Sequence, residues 1–546
     1  MRYSLLAAFV FVTMVNPACG KKENKPPEPP PAWEVEATPI CDPSDFGGHF
    51  VSDDGAHYAY ILLGDPQPDS PSQPPAPSAG RGMFGSGPQP VIVTDVRARP
   101  ESRKVVVVVD GKSGPEFLAG NIAGDIVFSP AGRFWYEVRV DREVLLVIDH
   151  LVAERSSVPV AWKVQFSPDG RHVAYHVRRE GGQTFVVDGK DGPLSESVEV
   201  SSFTFCRTGS GHAYVAADKG KKHIVRDGGR LEGFDAVADP RLSDDGGHLI
   251  YAGQRGEEWV IMLDDREVGK CDGQFVPPAV RISSSGAHWA YAVPDAVVLD
   301  GVHKALRNAD LRVGGFFGEE LACVAYVDDK RVVAIDGRPG QFAVAPGTYG
   351  EPVLAFSGDG RHMAYLARDK DGFRFVVDGV AGRPFEAARA DGYAGLVLSP
   401  EGKHAAGIFS TADDRRIVVL DGRASGPYEN ASQLTFSPDG RHLAYVVSKA
   451  GRESIIRDGE DSGAYEHVEW ESLVFSPDGK HLAAAVAGEG RNRLAECKVV
   501  IDDYQGPPVS ARGTRLRPRF APDGSLHYMA LLRDKVCRIR CVANKK

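Results

Sequence analysis

Histidine is the residue of this chain whose type and spacing most suggest chemistry, because nine of its 16 histidines recur at one position of an internal repeat. They are His57, His172, His212, His248, His288, His362, His404, His442 and His481. Imidazole is a common metal ligand and general base. However, Phe134, Cys323 and Leu526 stand at the corresponding places, and one site does not need the same residue nine times. We predict that the imidazole bonds the backbone of a turn while its ring packs, with metal binding as the alternative.

A second recurring residue is the aspartate of a Val-Val-Asp-Gly motif. It occurs as Asp110, Asp188, Asp227, Asp300, Asp336, Asp378, Asp421 and Asp458, and in variant motifs as Asp149, Asp264 and Asp502. Asp-Gly after an apolar run is typical of a hairpin turn, in which aspartate bonds its own backbone. We interpret these residues as turn residues. The alternative is a ring of carboxylates that forms an anionic funnel for a cation or a basic partner.

Linear catalytic motifs are missing from the sequence. There is no GxSxG nucleophile elbow and no HExxH zinc motif. The GKSG segment at Gly111 lacks the first glycine of a P-loop, because Val106 stands there. The sequence therefore predicts no catalytic, cofactor-binding or metal-binding residue and no cofactor. A lyase or hydrolase with a site built from scattered loop residues is the alternative.

Cys19 is the one residue to which the sequence assigns a chemical role. Arg2 and the apolar run 5–15 are typical of a secretory signal and too short to span a bilayer. The small residue followed by Cys19 resembles a bacterial lipobox, in which the thiol receives a diacylglycerol, although Asn16 stands where leucine is usual. Gly20 in place of aspartate implies the outer membrane, facing the periplasm or the cell surface. A soluble periplasmic protein with an ordinary secretory signal is the alternative.

Seven further cysteines are Cys41, Cys206, Cys271, Cys323, Cys497, Cys537 and Cys541. Export permits disulfides, and an odd number leaves at least one thiol free. We expect most of them to be small buried side chains. Cys537 and Cys541 would lie about 13 Å apart on one face of a strand, which is too far for a disulfide between them.

Internal repetition is the dominant pattern of the chain. Its clearest copies are FSPDGRHVAY from Phe166, FSGDGRHMAY from Phe356, FSPDGRHLAY from Phe436 and FSPDGKHLAA from Phe475. With eight weaker copies there are twelve, and from Gly132 to Gly524 their turn glycines are 32 to 45 residues apart. The first step is 77 residues, from Gly55 to Gly132. The excess lies in the Pro/Ser/Gly-rich stretch 65–102, which we expect to be a disordered insertion.

Each repeat contains two hairpin turns and therefore predicts four short strands. In the copy from Phe436, the strand 442–447 places Leu443, Tyr445 and Val447 on one face and Ala444 and Val446 on the other. Both faces are apolar, as in a sheet packed between two others. Four antiparallel strands in about 40 residues make one blade of a β-propeller.

The repeat, FSPDGRHLAY followed by VVDG, resembles the WD40-like repeat of TolB-type periplasmic propellers over nearly all of residues 42–546. The chain departs from that family in having more blades and a histidine after the turn. Propellers typically have four to eight blades. The sequence thus predicts an all-β fold of tandem propellers made of about twelve four-stranded blades, six plus six or seven plus five.

The predicted organisation is a signal peptide at 1–19, a Pro-rich tether at 20–40, a first propeller at 41–308 and a second at 309–546. The last repeat lacks an outer strand of its own, and the alternating segment 33–40 is a candidate to close an unspecified blade. With a net charge of -10 and no basic stripe, nucleic-acid binding has no support.

The leading functional hypothesis is a non-catalytic binding scaffold for an unknown envelope protein, attached to the membrane through its lipid alone. A channel that binds a small molecule, glycan or peptide is the alternative from another class, because propellers host many unrelated functions.

Overall fold

The computed structural model describes residues 33–41, 46–52, 57–63, 104–118, 120–123, 125–157, 162–272, 278–327, 330–345, 354–390, 396–487, 497–509, 516–532 and 535–543. The predicted signal peptide, Cys19, most of the tether and the insertion 65–102 lie outside these residues. The described residues are almost all β-strand, apart from one 3-10 turn at Val200–Ser202. No helix among them is long and apolar enough to cross a membrane.

The strands form twelve antiparallel blades, as predicted, and strands A to D of each blade are hydrogen-bonded in that order. Blade 1 contains Phe46–Val51, Tyr58–Leu63, Lys104–Val109 and Lys112–Leu118. Blade 2 contains Gly120–Ile122 with Val127–Phe128, Phe134–Val140, Glu143–Ile148 and Leu151–Ser156. Blade 3 contains Gln165–Phe166, Val173–Arg179, Gly182–Val187 and Lys190–Asp191. Blade 4 contains Ser197–Val198 with Thr204–Phe205, His212–Asp218, Lys221–Arg226 and Gly229–Phe234.

The next four blades follow in chain order. Blade 5 contains Ala236–Leu242, Leu249–Arg255, Glu258–Leu263 and Arg266–Asp272. Blade 6 contains Val280–Ile282, Trp289–Val293, Ala296–Leu299 and Val302–Ala305. Blade 7 contains Arg307–Phe317, Glu320–Val327, Lys330–Ile335 and Arg338–Val344. Blade 8 contains Leu354–Phe356, Met363–Asp369, Gly372–Val377 and Val380–Ala381. The end of strand D of blade 7 also pairs with strand B of blade 8.

The last four blades complete the chain. Blade 9 contains Arg389–Ala390 with Val397–Leu398, Ala405–Ser410, Arg416–Leu420 and Arg423–Tyr428. Blade 10 contains Asn430–Phe436, Leu443–Lys449, Arg452–Arg457 and Glu460–Tyr465. Blade 11 contains His467–Val468 with Val474–Phe475, Leu482–Ala487, Cys497–Ile501 and Tyr504–Gln505. Blade 12 contains Arg519–Phe520, Leu526–Leu532, Lys535–Ala543 and, as strand D, the N-terminal Trp33–Cys41.

The N-terminal strand resolves which blade the segment 33–40 closes. It pairs antiparallel with strand C of blade 12, from Trp33 opposite Ala543 to Cys41 opposite Val536. Trp33 is 6% exposed and packs in the cluster shared by blades 11 and 12. The end of the tether is therefore a structural part of the last blade, because it supplies strand D and because Trp33 and Val35 pack in the shared cluster.

Each blade is packed between two neighbours, as the two apolar faces of strand B predict. In blade 10, Leu443, Tyr445 and Val447 join a cluster with blade 9, whereas Ala444 and Val446 join one with blade 11. Eleven such clusters connect the blades in sequence order from 1 to 12. One of them joins blades 6 and 7 across the predicted boundary near residue 308. The division into two propellers at that point stays a prediction.

Candidate functional site

The two turns of blade 3 show how the recurring polar residues are arranged. In the Ser-Pro-Asp-Gly turn, Ser167 Oγ donates to Asp169 Oδ1 at 2.5 Å and accepts from the His172 amide at 3.0 Å. The His172 ring then reaches the Val-Asp-Gly turn, where its Nδ1 lies 2.6 Å from Asp188 Oδ2. Asp188 Oδ1 accepts the Val173 amide at 3.0 Å. The aspartate thus joins both turns at one end of the blade.

Eight blades repeat this histidine–aspartate pair, with Nδ1 to Oδ2 distances of 2.6–2.9 Å. The pairs are His57–Asp110, His172–Asp188, His248–Asp264, His288–Asp300, His362–Asp378, His404–Asp421, His442–Asp458 and His481–Asp502. Each of these aspartates has a φ between +48° and +53°. The predicted hairpin turn is therefore present, because positive φ at this position matches the twist of the flanking strands.

The hydrogen-bond partners differ from those that the sequence predicts. In these eight blades the imidazole bonds a carboxylate and not turn backbone, and the aspartate reaches an amide of strand B and not its own turn. The ninth histidine, His212, has the predicted partner, because its Nδ1 lies 3.0 Å from the turn carbonyl of Ser210. The sequence does not show this pair, because Asp458 comes 16 positions after His442 and the two side chains meet only when the blade folds. Both carboxylate oxygens of Asp458 are engaged in these hydrogen bonds. The anionic funnel stays an alternative prediction.

The alignment of the repeats also needs correction at four blades. His212 of blade 4 lies one residue later than the other histidines, since Gly211 takes their place and Cys206 that of the turn serine. In blade 2 Arg133 occupies the position that histidine has in the other blades, and its Nε donates to Asp149 Oδ2 at 2.8 Å. Glu320 and Ser525 occupy it in blades 7 and 12. Phe134, Cys323 and Leu526 are not the equivalents, because turns of different length shift the register.

The electrostatics of the turns follow from these hydrogen bonds. The Asp300 carboxylate raises the pKa of His288 above its ordinary value. The hydroxyl of Ser167 lowers the pKa of Asp169, and Ser357 and Ser437 do the same for Asp359 and Asp439. No three His, Cys, Asp or Glu side chains of the described residues are placed to hold a metal ion. The network can fix turns, and it carries no exposed nucleophile paired with a base.

Three of the histidine rings also contact the turn of the following blade. A Cβ atom on Gly132, Gly286 or Gly402 would collide with the ring of His57, His248 or His362 in the preceding blade. These glycines have φ between +71° and +78°. Glycine is therefore required at these turns for two reasons: its backbone conformation and the close approach of the histidine.

A second contact between blades involves the tyrosine of the His-x-Ala-Tyr motif. A Cβ atom on Gly192 would lie 2.7 Å from the Tyr214 hydroxyl of the next blade, and one on Gly340 would lie 3.2 Å from that of Tyr365. The glycine that follows the Asp-Gly turn in the sequence thus leaves room for a neighbouring tyrosine. The sequence of a single repeat does not reveal this contact, because the glycine and the tyrosine belong to neighbouring blades.

The cysteines agree with the prediction of small buried side chains. Cys206, Cys323 and Cys541 are buried thiols outside any disulfide. Burial raises the pKa of Cys323 to about 12 and that of Cys541 to about 11. Such thiols are poor nucleophiles near neutral pH, because the reactive thiolate is scarce.

One cleft of about 560 Å³ lies between blades 9 and 10 and is the best candidate for a binding site. Val418, Leu443 and Tyr445 form its buried apolar floor, and burial raises the pKa of the Tyr445 hydroxyl. Arg383 and Arg423 stand exposed at its rim. A second cleft of about 530 Å³, between blades 8 and 9, has a rim of mixed charge.

Two arginines and two aspartates line the first cleft, and they differ in their hydrogen bonds. Asp421 and Asp458 also line it, but their oxygens accept hydrogen bonds from His404, His442 and two backbone amides. Within the described part of the chain, neither Arg383 nor Arg423 has an ion pair or side-chain hydrogen bond. The cleft therefore offers two unpaired guanidinium groups beside an apolar floor.

No family model matches the chain, and no curated protein matches it. Among solved structures it is similar to a eukaryotic initiation factor, with 11% identity, a TM-score of 0.34 and coverage of 81% of this chain and 96% of that one.

Two further solved structures are similar to the chain. Kuenenia stuttgartiensis hydrazine synthase has 14% identity and a TM-score of 0.23, over 58% of this chain and 100% of that one. The Dos1 propeller has 10% identity and a TM-score of 0.26, over 69% and 91%. These scores carry no argument about function. The blades define the chain as a β-propeller protein.

Proposed function

We propose that this chain is an exported, lipid-anchored and non-catalytic scaffold that binds an acidic segment of a partner protein. The observation that carries the proposal is the cleft between blades 9 and 10, with Arg383 and Arg423 unpaired above an apolar floor. The recurring histidines and aspartates support a non-catalytic role, since they are committed to hydrogen bonds with each other.

The chemistry of the cleft favours a peptide with an apolar side chain between carboxylates. Arginine binds carboxylates through paired hydrogen bonds, whereas the apolar floor gains from covering Val418 and Leu443. A glycan needs several buried polar groups that match its hydroxyls, and the floor of this cleft supplies chiefly apolar surface. A volume of about 560 Å³ suits a few residues of such a peptide.

A labelled pentapeptide with leucine flanked by two acidic residues on each side tests the site. We expect fluorescence anisotropy to show binding that weakens with salt, and at least tenfold weaker binding when Arg383→Ala and Arg423→Ala are combined. The matched control combines Arg361→Ala and Arg441→Ala, which removes two exposed turn arginines of blades 8 and 10 and should leave binding unchanged. No binding to the native protein, or equal loss in both double variants, contradicts the proposal.

The membrane attachment rests on Cys19 and the tether that follows it, as the resemblance to a lipobox implies. In a bacterial host, the full chain should incorporate labelled palmitate and sediment with the outer membrane. Cys19→Ala should abolish the label and release the protein to the soluble envelope fraction. If Cys19→Ala stays in the membrane pellet, the lipid anchor is not what holds the protein there.

A further inference from the structure

The residue at one position of strand C distinguishes the last blade from all the others. Its side chain faces the following blade and, in blades 1 to 11, is apolar, at most 3% exposed and part of the shared cluster. The residues are Val107, Leu146, Phe185, Ile224, Ile261, Val297, Val333, Phe375, Val418, Ile455 and Val499. Blade 12 has Arg538 at this position. Arg538 lies two residues before Arg540, which pairs with His527 of strand B.

Strand B of the last blade carries a second polar exception on the same face. The corresponding residue is a fully buried alanine in nine blades, and Trp135 or Ile250 in two others. Blade 12 has His527 instead, which is 8% exposed. Its Nε2 lies 2.7 Å from Ser525 Oγ, and its Nδ1 lies 3.0 Å from Arg538 Nη2.

This polar face lies against the first blade. The Arg538 guanidinium is 3.8 Å from the centre of the Tyr58 ring in strand B of blade 1, and Tyr58 stacks on Tyr60. Met529 and Val536, on the same face of blade 12 as Arg538, are only 2% and 6% exposed. The surface that would be open in a linear array of blades is therefore covered.

The path of the chain leads to the same arrangement. In every other blade, strand D is followed along the chain by strand A of the next blade, as in Gly229–Phe234 and Ala236–Leu242. Strand D of blade 12, Trp33–Cys41, is followed in the same way by strand A of blade 1, Phe46–Val51. Blade 12 thus precedes blade 1 just as blade 6 precedes blade 7.

We propose that the twelve blades close into one ring, and that the polar seam of His527, Arg538 and Tyr58 sets the ring size. The faces of twelve similar blades are nearly interchangeable, so an apolar face at the end of the chain would fit any blade. Against an ordinary apolar blade, the half-buried Arg538 guanidinium would lose solvent without gaining an aromatic partner, whereas blade 1 offers it the ring of Tyr58, stacked on Tyr60. Two separate rings of six blades are the alternative arrangement.

Lysines at matched places allow a direct test, because Lys104, Lys330 and Lys535 each begin strand C, in blades 1, 7 and 12. The full chain is treated with a short amine-reactive cross-linker and the linked peptides are identified by mass spectrometry. A single ring places Lys535 beside Lys104 and yields that link. Two rings place Lys535 beside Lys330. Failure to find the Lys104–Lys535 link overturns the single ring.

The role of the seam needs a variant that folds and changes only that face. His527→Ala with Arg538→Ile gives blade 12 the residues found in other blades. After refolding, we expect this variant to give several times more dimer, or more Lys330–Lys535 link, than the native chain. The control, Glu36→Ala, changes an exposed residue of blade 12 that lies outside the seam. If the seam variant refolds with as little dimer and as little Lys330–Lys535 link as the native chain, the seam does not set the ring size. Closure of the ring is judged separately, from the Lys104–Lys535 link.

Discussion

His442 Nδ1 lies 2.6 Å from Asp458 Oδ2, and the same aspartate accepts the amide of Leu443 through Oδ1 at 2.9 Å. One carboxylate thus holds together the two turns at one end of blade 10. Because this geometry recurs in eight blades, it identifies the histidines and aspartates as parts of the repeat's framework.

Removing the carboxylate should destabilise its blade. Asp458→Ala leaves the Leu443 amide and His442 without their acceptor and puts alanine at a φ of +51°. We expect a loss of about 2 kcal/mol, measured as a lower urea midpoint and faster hydrogen exchange in 443–457. Asp461→Ala, which removes a surface ion pair with Lys449, should cost about 0.5 kcal/mol or less. Equal effects would show that the bridging carboxylate has no special role.

Substitutions at two turn glycines allow the cost of backbone strain to be measured apart from the cost of a contact between blades. Gly360 and Gly402 have φ of +70° and +71°, but a Cβ atom meets nothing within 4 Å at Gly360 and collides with His362 at Gly402. Gly360→Ala should cost about 1 kcal/mol from strain alone. Gly402→Ala should cost more, by thermal or urea unfolding, and adding His362→Ala should recover part of the difference. Similar values for both single variants would mean that the histidine ring moves aside freely.

Trp33 should be essential to the last blade. Its ring packs 5.1 Å from that of His481 and 6.4 Å from that of Phe520. Trp33→Ala should cost about 3–5 kcal/mol and expose 526–543 to hydrogen exchange, because it leaves a cavity where the N-terminal strand closes blade 12. Glu36→Ala on the same strand removes an exposed carboxylate and should change little. Unchanged exchange in blade 12 with Trp33→Ala would contradict this role.

The seam should make stability depend on pH. Burial and, to a smaller extent, the charges of Arg538 and Arg540 lower the pKa of His527 to about 4, whereas Asp523 opposes them. An unfolded histidine titrates near 6.5, so from pH 6.5 down to about 4 the unfolded chain binds a proton that the folded chain does not. Stability should fall through this window by about 2 kcal/mol, after allowance for solvent screening.

His527→Ala should flatten this pH dependence when urea unfolding is measured between pH 4 and 7. The exposed His303 provides the matched control, and His303→Ala should leave the profile as it is in the native protein. A profile that keeps its slope in His527→Ala would assign the acid sensitivity to other groups.

The sequence by itself determined the repeat, its twelve copies, the four strands of each blade and the faces of strand B. These features depend on short-range rules: glycine and aspartate adopt positive φ at turns, and alternate side chains point to opposite sides of a strand. Leu443 and Ala444 therefore pack on opposite neighbours, as predicted.

Only the tertiary structure decided which groups meet. The pairing of His442 with Asp458, the closure of blade 12 by Trp33, the contact of Arg538 with Tyr58 and the two unpaired arginines of the cleft join residues far apart in the chain. Repeat copies are alike in sequence, so a pattern shared by all cannot say which copy lies beside which. Distances between blades are set by packing, and packing exists only once the blades are assembled.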